Sequence, residues 1–211
     1  MKETERIAGG LQQLNHTAVQ AAGSGDYKQA LALFRQALHF EDTLGFKTHA
    51  AESLANIATT CLLLRDYSSA MEAADTAECM FREQWRNEDL RTIAVLKGTI
   101  MLHSGCYEMA ARQFDVCLSQ ARTPQERGAI YSQAAHALCN LQQQHRAQEY
   151  WGRAVAEYER INDIQGTISC LRQRAMLFKT SGRKDLAVKD LQRCALLAGI
   201  RKDSMKAYEE L

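Results

Sequence analysis

Residues 25–38, GDYKQALALFRQAL, are echoed forty residues later by RDYSSAMEAADTAE from Arg65, and forty after that by GCYEMAARQFDVCL from Gly105. A fourth copy, QQQHRAQEYWGRAV, starts at Gln142, thirty-seven residues after the third, and a fifth, GRKDLAVKDLQRCA, starts at Gly182, forty further on. Self-similarity at this period means that one supersecondary unit is stacked several times, so the repeat decides the architecture before any motif does. Within each copy, small and large residues recur at i, i+4 and i+7: Ala30, Phe34, Ala37; Ala70, Ala74, Ala77; Ala110, Phe114, Cys117; Ala147, Trp151, Ala154; Ala187, Leu191, Cys194. That spacing places three residues on one face of a helix. The small side chains let a neighbouring helix approach, and the larger one fills the space between them.

A second helical stretch precedes each copy. In the first unit a helix over about residues 11–22 is expected to stop at Gly23-Ser24-Gly25, and Asp26 to cap the next helix; related turns fall at Asp66 and Gly105. Gly9-Gly10 reads as another helix terminator. Thr123-Pro124-Gln125-Glu126 is a capping box that admits the only proline of the chain, and Asn87-Glu88-Asp89 marks a further helix start. The expectation is one all-α domain over residues 1–211, with units at about 11–44, 50–84, 88–121, 124–160 and 164–199. A capping helix over 203–211, carrying Met205 and Tyr208, is expected to cover the apolar side of the last unit.

This pattern resembles the tetratricopeptide repeat. The resemblance rests on the Ala–large–small helices, on the Gly25-Asp26-Tyr27 turn with its relatives Asp66-Tyr67 and Gly105-Cys106-Tyr107, and on small residues inside each first helix, Ala18, Ala58, Gly98, Ala135 and Ala175. It covers residues 11 to about 200. Two features depart from it. Leu14, Leu54, Ala94, Tyr131 and Leu171 stand where the family places a first-helix Trp, and the proline that often closes each second helix is absent. The forty-residue period is similar to that of the longer-helix subclass in kinesin light chains and bacterial peptide-sensing regulators. The resemblance implies a right-handed superhelical stack of about five helix-turn-helix units.

Composition narrows the functional classes. The 211 residues carry a net charge of +1, with ten acids against four bases over 41–90 and ten bases against six acids over 161–211. This is far from the clustered basic surface of a nucleic-acid binder, so no nucleic-acid partner is expected. No apolar run reaches the ~18 residues of a membrane span, so no membrane insertion is expected either. The seven cysteines are widely spaced and odd in number, which suits a reducing compartment and points to the cytoplasm.

Motifs for chemistry are missing. His103-x-x-Cys106 and His136-x-x-Cys139 place paired ligand types on a helix, yet without the further ligands of a zinc signature. Cys61, Cys117 and Cys194 occupy positions expected to pack. Neither Gly9-Gly10 nor Gly23-Ser24-Gly25 is followed by the lysine of a phosphate loop, and no GxSxG or paired-carboxylate motif occurs. No enzymatic activity, cofactor or metal is expected.

In a stacked array the first helices line the concave surface. Counting around each helix brings Gln12, Asn15 and Val19; Glu52, Asn56, Thr59 and Leu63; Thr92, Thr99 and His103; Ser132, Gln133 and His136; and Arg172, Gln173, Met176 and Lys179 to that side. The amides, hydroxyls and imidazoles suit a peptide backbone, and Arg172 with Lys179 suits a carboxylate. In family members that grip acidic chaperone tails, a clamp of Lys, Arg and Asn is spread over three units; of the matching positions here only Asn56 fits, which disfavours that role. The expected function is a non-enzymatic interaction scaffold or adaptor that binds a protein or peptide partner in its groove. The alternatives are a peptide-sensing regulatory domain and a self-assembling homo-oligomer.

Overall fold

The computed structural model describes residues 2–199, with side chains from residue 9 onward. Its elements in chain order are α1 (Lys2–Gly23), α2 (Tyr27–Leu44), α3 (Lys47–Leu63), α4 (Tyr67–Glu83), α5 (Asn87–His103), α6 (Tyr107–Gln120), α7 (Pro124–Asn140), α8 (Gln144–Arg160), α9 (Ile164–Thr180) and α10 (Lys184–Leu197). Every regular element among the described residues is a helix. Odd-numbered helices are the first, and even-numbered helices the second, of the five sequence units. The capping helix expected over 203–211 lies outside the described residues.

One boundary differs from expectation. α1 starts at Lys2 and runs straight through Gly9 and Gly10, which terminate nothing. Good helix formers on both sides, Glu3, Glu5, Arg6 and Ala8 before, Leu11 and Gln12 after, carry the helix across them. A Cβ at either glycine would meet nothing within 4 Å, so no close approach requires them.

The hairpins close by one device. A residue in the left-handed region recurs every twenty positions, at Gly25, Gly45, Arg65, Trp85 and Gly105, and again at Gln142, Asn162 and Gly182. The next N–H reaches back to the carbonyl five residues earlier: Asp26 to Ala21 at 2.9 Å, Asp66 to Cys61 at 2.9 Å, Asp163 to Tyr158 at 3.0 Å. Asp26, Asp66 and Asp163 then cap the following helix by accepting from the N–H groups of Gln29, Ser69 and Gly166. Between α6 and α7 the device is replaced. α6 is only 14 residues long, Ala121 is extended, and Thr123 with Glu126 forms the capping box. This shorter junction is the origin of the thirty-seven-residue spacing.

The chain divides into two compact units, Met1–Gly105 with α1–α5 and Cys106–Leu211 with α6–α10. In each, every helix packs on the one before and the one after. The core of the first unit gathers Ala18, Phe34, Ile57, Ala58, Cys61, Ala70, Ala74, Ala77, Phe81, Ile93 and Ile100. In the second unit Phe114, Ile130, Leu138, Trp151 and Leu171 are each at most 3% exposed. The small residues of the repeat, Ala30, Ala37, Ala70, Ala77, Ala110, Ala147 and Ala154, are completely buried.

Tyr158 of α8 shows how tightly successive units meet. Its ring lies between Gly128 of α7 and Gly166 of α9, where added Cβ atoms would approach it to 3.1 Å and 2.8 Å. Burial pushes the Tyr158 phenol up to about 12, and the thiols of Cys117 and Cys170 up to about 11. These acids keep their protons in the folded chain at pH values where the unfolded chain has lost them. Their contribution to stability is therefore complete below pH ~9 and is lost as pH rises toward ~12. The urea midpoint is expected to fall steadily over that window. Tyr158→Phe should remove the part above pH ~10, on the order of 2 kcal/mol; an unchanged slope in that variant would count against the account.

Candidate functional site

Seven-residue steps along each first helix give a stripe that the packing leaves open. On α3 it runs through Glu52, Asn56, Thr59 and Leu63, and on α5 through Thr92, Thr99 and His103. Glu52, Thr59, Thr92 and His103 are exposed, Asn56 and Thr99 are half-buried, and Leu63 is 49% exposed. The hydroxyls are partly spent, because Thr59 Oγ1 donates to the Ala55 carbonyl at 3.0 Å and Thr99 Oγ1 to that of Val95 at 2.9 Å. They offer lone pairs to a ligand more readily than protons. Glu52 accepts from Arg86 at 2.7 Å, and Arg86 also holds Asp89 at 2.7 Å.

Asn15 does something different from what its position suggests. Its Nδ2 donates to Oε1 of Glu41 at 3.0 Å, and Glu41 is completely buried. Asn15 Oδ1 and Glu41 Oε2 have no hydrogen-bond partner among the described residues. The side chain thus serves the α1–α2 packing rather than the open stripe. The signal was present in the sequence: Glu41 continues the packed series Ala30, Phe34, Ala37 by one more step, taking the slot that Phe81 and Tyr158 fill in other units.

In the second unit the stripe on α7 passes through Ser132, Gln133 and His136, all half-buried. The His136 ring stands edge-on to Trp151, with centroids 4.7 Å apart and planes at 85°. On α9, Arg172, Gln173, Lys179 and Met176 are exposed, Met176 at 65%. Their neighbour Arg174 turns inward instead, gripping Asp190 of α10 with two bonds of 2.7 Å. Neither Arg172 nor Lys179 has an ion-pair partner among the described residues.

Between α7 and α9 lies a depression of about 260 Å³ bounded by His136, Cys139, Gln142, Trp151, Gln173 and Met176. Sequence reasoning placed His136, Gln173 and Met176 on the open side and Trp151 in the packing; it missed that they meet. Of the cysteines, Cys61, Cys117, Cys170 and Cys194 are buried, Cys139 is half-buried, and Cys79 and Cys106 are exposed. Burial raises the thiols of Cys61, Cys139 and Cys194 above their ordinary range. They therefore behave as small apolar fillers rather than nucleophiles. No helix among the described residues is long and apolar enough to cross a membrane.

No protein-family model matches this chain. No curated protein matches it either. Solved structures do. A thermophilic TPR protein of Thermus thermophilus superposes with a TM-score of 0.66 at 17% identity, over 95% of this chain and 97% of its own. The TPR-like repeats of a putative kinesin light chain from Podosopora anserina give 0.72 at 15% identity, over 89% and 94%. The apo quorum sensor NprR of B. thuringiensis gives 0.79 at 14% identity, over 92% of this chain and 55% of NprR. The chain has the helical-hairpin fold of tetratricopeptide-like proteins.

Proposed function

We propose that this chain is a non-enzymatic interaction module that holds an extended or helical segment of a partner protein against the open stripes of its first helices. The observation that carries this reading is the exposure pattern: on α3 and α9 the polar side chains at seven-residue steps are joined by large apolar ones, Leu63 at 49% and Met176 at 65% exposed. Exposed apolar side chains stand on second helices too, Phe40 and Met109 among them; on the first-helix stripes they lie among unpacked hydroxyls and amides, the mixture of polar and apolar contacts that a peptide site needs. Peptide sensing in control of another protein is the second reading, favoured by the likeness to NprR, a quorum sensor. Seven unpaired cysteines support a reducing location, for which we propose the cytoplasm.

The test is peptide selection from a display library on the full chain, followed by binding to charge-matched variants. Thr59→Glu on α3 and Gln173→Glu on α9 introduce a carboxylate on the open stripes; Gln36→Glu on α2 and Ala156→Glu on α8 introduce one at exposed second-helix positions. At least one of the first pair is expected to weaken a selected peptide about tenfold or more, with the second pair neutral. The reverse ranking would place the partner on the second helices, and self-association that the peptide leaves intact at either pair would favour an oligomer.

A further inference from the structure

One step beyond its small–large–small series, α4 buries the ring of Phe81 and α8 that of Tyr158, whereas α2 places Glu41 in the same slot, completely enclosed. A carboxyl group stands where the sister helices put an aromatic. It has one hydrogen bond, accepted by Oε1 from Asn15 Nδ2 of α1 at 3.0 Å. Glu41 Oε2 and Asn15 Oδ1 are both buried and both without a partner among the described residues. The open atoms therefore belong to the same two planar groups that already share a bond, and both are acceptors.

An anion is poorly served in that slot. Its one donor is a neutral amide, and Glu41 lies in the last turn of α2, where the helix dipole disfavours a carboxylate. Among the described side chains of α1 the titratable one is His16, exposed and bonded to Gln20. On α3, Lys47, His49 and Glu52 are exposed, with Glu52 held by Arg86, and on α2 itself Lys28, Arg35, His39 and Asp42 are exposed. Tyr27 and Cys61 stand at the far ends of α2 and α3. None of these groups forms a hydrogen bond or ion pair with Glu41.

We propose that Glu41 is a proton-operated latch between α1 and α2: the folded chain holds it as the neutral acid, whose Oε2–H donates to Asn15 Oδ1 while Asn15 Nδ2 donates to Oε1, and loss of that proton to water loosens α1. One proton completes a two-bond ring and satisfies both open oxygens at once. Without it, two acceptors share a buried site, and the chain hydrates them by lifting α1 off α2, on which it packs. A proton that the folded chain keeps and the unfolded chain gives up stabilises the docked helix at acid pH, and its contribution is lost as pH rises.

Hydrogen exchange of the full chain tests the latch, read as the protection of α1 residues 11–22 after correction for the intrinsic exchange rate at each pH, with α9 as the reference. Between about pH 5.5 and about pH 8.5, α1 is expected to lose at least about tenfold in protection relative to α9. Glu41→Gln is a permanent copy of the protonated form, since its amide donates to Asn15 Oδ1 and its carbonyl accepts from Asn15 Nδ2. That variant should keep the protection that the unsubstituted chain shows at the acid end and show no change with pH. A second readout needs no substitution: at about pH 6.5, where exposed glutamates are ionised, infrared spectra of chain labelled with carbon-13 at the glutamate carboxyls should contain a carboxylic-acid carbonyl band that moves with the label. Flat protection of α1 in the unsubstituted chain overturns the latch, and so does an equal pH dependence in Glu41→Gln, which assigns the titration to another group. Should Glu41→Gln fail to fold, the infrared band decides, its presence supporting the neutral acid and its absence overturning it.

Discussion

Trp151→Ala is expected to lower the unfolding free energy by about 4 kcal/mol, read as a shift of the urea midpoint at constant slope. Trp151 is the largest of the completely enclosed side chains, lying between Ala147 and Ala154, both fully buried on the same face of α8. Those alanines have already brought the neighbouring helices as close as their backbones permit, so little collapse can fill the space an indole leaves. Its edge contact with His136 would be lost as well. Trp151→Phe keeps most of the ring and should cost about half as much. Trp85→Ala, at an 85% exposed turn residue, should stay within about 0.5 kcal/mol. Equal effects at the two tryptophans would mean that the packed face of α8 has been wrongly assigned.

The second large effect is expected at the ion pair of α9 and α10. Arg174 and Asp190 have side chains 19% and 10% exposed and share two bonds of 2.7 Å. The adjacent carboxylate holds the Arg174 guanidinium above even its ordinary high range, so the guanidinium keeps its charge at any pH where the chain folds. Arg174→Leu strands a buried carboxylate and Asp190→Leu strands a buried guanidinium; each should cost about 3 kcal/mol. The double variant removes both desolvation penalties and should recover most of that loss. A double variant as unstable as the sum of the singles would show that the pair contributes packing rather than charge compensation.

Helices and their packed faces were legible because their cause is local. A forty-residue period and the i, i+4, i+7 series of small and large residues state which side of each second helix is buried, and Ala30, Ala70, Ala110 and Ala147 are fully enclosed as that series requires. The turns were only half legible. Gly25, Gly45, Gly105 and Gly182 advertise a left-handed residue, and Asn162 does so more weakly, but Arg65, Trp85 and Gln142 adopt the same conformation without any local sign of it. There the tertiary contacts of the two helices override a local preference of about 1 kcal/mol, and spacing in steps of twenty from the glycines of the series was the available clue.

The candidate site divides the same way. Exposure of Thr59, His103, Arg172, Gln173 and Lys179 follows from helical register alone. Asn15 could not be judged from its own helix, because its role depends on a buried glutamate, Glu41, twenty-six residues away. The ion pair that turns Arg174 inward while Arg172 stays outside is likewise set by α10. The depression over Trp151 is a matter of how three helices meet at their ends, and spacing along one helix carries no information about that.

Hydroxyl-radical footprinting of the full chain, alone and saturated with a display-selected peptide, tests the central claim most directly, because it reports side-chain exposure without substitution. Leu63 of α3, His103 of α5 and Met176 of α9 are exposed first-helix side chains, whereas Phe40 of α2 and Met109 and Val116 of α6 are second-helix ones, 44%, 57% and 53% exposed. The peptide is expected to protect one or more of the first group, with Met176 foremost, and to leave the oxidation of Phe40, Met109 and Val116 unchanged. Protection of Met109 and Val116 with undiminished oxidation of Leu63, His103 and Met176 would contradict it.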